Sequence, residues 1–116
     1  MQGLEALQQV RRVAEEKALK ALSRVQNGYE RIREEERYLV HCSEQARSTL
    51  RALERDAFDI RDSIIYRRYL NMVRGRISRC RERKRTAKKV VDEKIKAYEK
   101  ERHGRSVDYA LTDPDR

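Results

Sequence analysis

The sequence predicts an all-α fold, an antiparallel two-helix coiled-coil hairpin, and three observations carry that prediction. The first is composition. Charged residues make up 42% of the 116 and the apolar set 38%, with one Pro, four Gly and no Trp. That supply of large apolar side chains is too small for a thick core, yet it suits long helices that bury one narrow seam. The second is periodicity. Alternating steps of three and four from Leu22 visit Val25, Tyr29, Ile32, Glu36, Leu39, Ser43, Ala46, Leu50, Leu53, Ala57, Ile60 and Ile64, and only Glu36 and Ser43 are polar. A mean step of 3.5 residues is the coiled-coil repeat. The third is that the second half repeats the pattern through Tyr66, Leu70, Val73, Ile77, Cys80, Lys84, Ala87, Val91, Lys94 and Tyr98, with Ile95 beside the weak position at Lys94.

Helix 1 is expected over about residues 3–60. Its apolar stripe continues less regularly before Leu22, through Leu4, Leu7, Val10, Ala14 and Ala18. Between the seams stand Arg, Lys, Glu and Gln, which favour helix and decide against disorder. A seam buried against nothing is unstable, so it needs a mate, either by folding back or by dimerising as a straight rod. The turn is placed at about 59–63, where Asp62 or Ser63 would cap a new helix. Helix 2 then runs over about 63–103, which makes residues 1–103 a single elongated coiled-coil domain. Gly104 is the expected stop, residues up to about 18 overhang the shorter partner, and 104–116, with Pro114, form a flexible tail. Gly28 and Gly75 fall inside helices, where close packing or a bend would explain them.

A hairpin centred near residue 61 pairs positions whose numbers add to about 122. Cys42 then faces Cys80, Glu36 falls near Lys84 and Lys88, Ile32 meets Val90 or Val91, and Val25 meets Tyr98.

The net charge of +9 lies wholly in the second half, because residues 1–60 hold equal numbers of acids and bases. From Arg67 to Lys89 there are eleven basic residues and one acid, Glu82. Such a run repels itself, and ordinary solvated faces mix both signs. The candidate partner-binding residues are therefore Arg67, Arg68, Tyr69, Arg74, Arg76, Arg79, Arg81, Arg83, Arg85, Lys88 and Lys89, with Tyr69 as an aromatic anchor among arginines. The partner they imply is acidic.

Nucleic acid is the obvious alternative, and the stretch from Asn71 to Arg79 has the Asn and Ser-Arg spacing of a basic leucine-zipper reading helix. Of the two positions that require small residues, Gly75 fits but Arg74 is far too large, and no leucine heptads follow. Catalysis finds no support: Cys42 and Cys80 form no Cys-x-x-Cys, His41 and His103 lack motif companions, and no serine sits in a nucleophile elbow. No metal or cofactor is expected. The start of the chain lacks the pattern of a secretory signal and no stretch is apolar enough to span a membrane, which points to the cytoplasm.

The opening of helix 2, Tyr66-Arg67-Arg68-Tyr69-Leu70, followed by Val73 and Ile77 and leading to Ala97-Tyr98-Glu99-Lys100, resembles the FliJ/YscO family of flagellar and type III secretion export proteins. The resemblance spans about residues 4–103 and lies in heptads and charge more than in signature residues; the chain is also shorter, with a truncated basic tail. It implies a non-catalytic stalk at the inner-membrane face, with the export ATPase hexamer, the export gate and secretion chaperones as partners. A general protein-binding scaffold or adaptor, dimeric in one form, is the other reading of the same coiled coil.

Overall fold

The computed structural model describes the backbone of residues 2–55 and 60–112, and the side chains of 3–55 and 60–104. Two helices, α1 (Gln2–Arg55) and α2 (Ile60–Thr112), pack against each other as a hairpin, with no strand among the described residues. Arg67 reaches Glu54 and Lys84 reaches Glu36, so the numbers rise on α2 as they fall on α1. That order is antiparallel.

α2 is helical from Ile60, within the turn expected at 59–63. Ile60 to Ser63 are already helical, Ser63 is buried in the seam, and Ile60 and Ile64 stand exposed. Asp62 lies in the first turn of α2, so neither it nor Ser63 is the cap; Ala57 of the expected seam and Asp59 of the expected turn fall outside the described residues. With α2 helical from Ile60, the pairing centre lies before residue 61, which shifts the backbone register toward lower numbers. Long side chains lean toward the N-terminus of their own helix. Glu36 and Lys84 lean so from opposite directions, and their tips meet although their Cα atoms are offset. Short side chains cannot do this. Cys80 therefore lies against Ile32, its Sγ donating to the Ile32 carbonyl at 3.4 Å, and not against Cys42. Ile32 accordingly joins the cluster of Leu39, Val73, Ile77 and Cys80 instead of meeting Val90 or Val91.

By close contacts the chain divides into two compact units, residues 30–86 and residues 1–29 with 87–116. In the first, α1 buries or half-buries Ile32, Glu36, Leu39, Ser43, Ala46, Leu50 and Leu53, while α2 supplies Ser63, Tyr66, Leu70, Val73, Ile77, Cys80 and Lys84. Every step is three or four residues, which is the heptad seam.

In the second unit the same register runs back from Leu22 to Ala18, Glu15, Arg11 and Gln8. Those residues are half-buried, and Gln8, Arg11 and Glu15 are partnered, whereas Leu7, Val10 and Val13 are exposed. The expected stripe through Leu7 and Val10 is thus turned outward. A stiff helix carries its phase from the strong heptads onward, and local apolar residues do not reset it. On α2 the inward positions are Ala87, Val91, Ile95 and Tyr98, and Lys94 is exposed. Two successive steps of four keep the ammonium in water.

α2 does not stop at Gly104. The glycine keeps a helical φ, and the helix continues to Thr112, where a flexible tail was expected. Glycine costs about 1 kcal/mol in a helix, less than α1's first turns lose by standing without a mate. A methyl placed on Gly104 would stand 3.6 Å from the Arg11 guanidinium, so the predicted overhang of α1 is covered. Residues 113–116 lie outside the described ones.

Candidate functional site: an arginine-lined flank

Residues just after or just before the seam line its two flanks. On α2 the position after the seam is filled by Arg67, Arg74, Arg81 and Lys88; the position before it by Asp62, Tyr69, Arg76 and Arg83. Helical geometry therefore divides the basic tract between two flanks and the outer surface.

The first flank holds a groove of about 410 Å³. α2 lines it with Arg74, Ile77, Ser78, Arg81 and Arg85; α1 adds Val40, Ser43, Glu44 and Arg47. Glu54 and Arg67 also stand at after-seam positions and form an ion pair at 3.0 Å. One heptad further along each helix, the equivalent positions are Arg47 and Arg74, two cations lining the same groove. Arg81 turns toward Glu36, with Nε 3.8 Å from Oε2. Arg47, Arg74 and Arg85 have no ion pair among the described residues. Ser43 is 2% exposed, and its hydroxyl has no hydrogen-bond partner among them.

The second flank carries the tyrosine singled out in the sequence. Tyr69 and Tyr38 both have the Cys42 thiol as hydrogen-bond partner, and that bond, ahead of every other cause, raises both phenols above their ordinary range. The nearby Arg76 guanidinium works in the opposite direction on Tyr69. Met72 and Ile65 are exposed on the same side of α2, and Arg83 closes that flank by binding Glu35 at 3.1 Å.

Between the flanks, Glu36 and Lys84 form a half-buried charged layer. The ammonium lies 3.0 Å from both carboxylate oxygens, and Oε2, without a well-aimed hydrogen bond, is held by charge. This layer was expected from the sequence, except that Lys88 binds Asp92 in the other unit at 3.2 Å. Arg68, Arg79 and Lys89 are exposed without an ion pair among the described residues. Sequence reasoning missed Arg47 and Ser43. The signal was there, because the pairing rule already sets Arg47 against Arg74.

The chain matches no family model, no curated protein and no solved structure.

Proposed function

We propose that the chain is a non-catalytic coiled-coil stalk of a flagellar or type III secretion export apparatus, working in the cytoplasm at the inner-membrane face. It binds acidic surfaces of the export ATPase, gate or chaperones through α2. The observation that supports this most is the surplus of cations after the internal pairing is complete. Glu35, Glu36, Glu54 and Asp92 engage Arg83, Lys84, Arg81, Arg67 and Lys88, while Arg68, Arg76, Arg79 and Lys89 remain exposed without an ion pair among the described residues. Unpaired surface charge contributes little to stability, so its accumulation on one helix fits recruitment of an oppositely charged partner. The paired helices supply the scaffold for such contacts. Among the described residues no helix is long and apolar enough to cross a membrane.

The test is retention of the chain by an immobilised secretion ATPase hexamer and by the cytoplasmic part of an export gate. Arg68→Glu, Arg76→Glu and Arg79→Glu together should abolish retention, because these residues take no part in the internal ion pairs. Retention that survives the triple reversal, or none by the unaltered chain, would falsify the proposal. The alternative, a general protein-binding scaffold, is favoured by one observation: Tyr38 is 67% and Ile65 62% exposed on a flank that apolar partners could cover. Binding through that flank would persist at high salt.

A further inference from the structure

Arg47 and Arg74 stand out against the pairing scheme of the first flank. One heptad toward the turn, the same two positions hold Glu54 and Arg67, in contact at 3.0 Å. Flanking positions of a coiled coil ordinarily carry complementary charges, and like charges across them are destabilising. Here two guanidiniums share a groove with Arg85 and Arg81, and Glu44 is the one acid lining it. The four cations less the one anion leave a net charge of three in about 410 Å³. That volume lies in the range of small-ligand sites.

We infer that this groove binds a short chain of phosphates, a diphosphate or triphosphate group. A single carboxylate could neutralise one guanidinium, whereas each phosphate brings more charge and several acceptor oxygens for the planar forks of arginine. The site draws on both helices, with Arg47 from α1 and Arg74, Arg81 and Arg85 from α2 lining one groove. Ser78 adds a hydroxyl at the rim, and the Ser43 hydroxyl on the floor has no partner among the described residues. None of this depends on the stalk reading: the residues that reading uses, Arg68, Arg76 and Arg79, are not in the groove.

The experiment is calorimetric titration of the full chain with inorganic tripolyphosphate at physiological ionic strength, with circular dichroism to confirm helix in every variant. One saturable site per chain is expected. Arg74→Gln with Arg85→Gln should weaken it about tenfold or more, while Arg24→Gln with Arg31→Gln, an equal loss of charge elsewhere on α1, should change it less than about twofold. Arg47→Glu gives the sharpest contrast. It restores the pairing seen between Glu54 and Arg67, so it should raise the melting temperature of the free chain while abolishing phosphate binding. Adenosine triphosphate in place of tripolyphosphate separates sources: equal affinity places recognition on the phosphate chain alone, and tighter binding makes the ligand a nucleotide. Equal weakening by the two double variants, several ions bound per chain, or no saturable heat would each overturn the inference.

Discussion

Cys42 and Cys80 show how much a residue's behaviour depends on where the register leaves it. Cys80 is 1% exposed, and burial, with the Glu35 carboxylate as the next cause, pushes its thiol above the ordinary range. Because ionisation is harder folded than unfolded, its contribution to stability is complete below the ordinary thiol pKa and is lost as pH rises through the folded value. Chemical denaturation from pH 8 upward should therefore show falling stability, and Cys80→Ala should flatten that decline. Cys42 is half-exposed, and a thiol reagent under native conditions should label it while sparing Cys80. The ten residues between Ile32 and Cys42 span about 15 Å of helix, beyond disulfide reach, so mild oxidation should not join the two cysteines within one chain. Absorbance titration should find Tyr38 and Tyr69 ionising above the usual phenol range, and Cys42→Ala should bring both down.

At the scale of the helix, glycine and charge give the clearest tests. A methyl on Gly28 would meet nothing within 4 Å, which removes close packing as the reason for that glycine. Gly28→Ala should stabilise the chain by about 0.5–1 kcal/mol in urea denaturation. The charged layer behaves in the reverse sense. Lys84→Met leaves the half-buried Glu36 with only the 3.8 Å contact to Arg81 and should cost about 1–2 kcal/mol, discounted for partial exposure. Adding Glu36→Leu should recover most of that loss. The seam from Leu22 to Leu53 and from Tyr66 to Val91 was legible because the heptad repeat is a property of local sequence. The turn was not, since neither Gly nor Pro marks it, and the start of α2 already at Ile60 moved Cys80 from Cys42 to Ile32, while Glu36 still reached Lys84. The groove was half legible: its arginines on α2 stood out by number, but Arg47 acquires meaning only once a register is fixed. The outward face of Leu7 and Val10 was misread because apolar character alone cannot reveal the phase of a helix.

For the whole chain, charge sets the terms of association. A surplus of nine positive charges implies binding to any polyanion at low ionic strength, so affinity without salt dependence is uninformative. Duplex DNA of random sequence should be retained at low salt and released by about 0.3 M, whereas a complex that also buries Tyr38, Tyr69 and Met72 should outlast that concentration. The two helices are nearly matched in length, at 54 and 53 residues, and Gln2 and Thr112 belong to the same compact unit. The opening of α1, with its unsatisfied N–H groups and partial positive charge, accordingly runs beside the closing turns of α2, whose carbonyls are negative. Within that unit the two opposed helix ends offset each other's partial charges, so the backbone there adds little to a field set by the side chains.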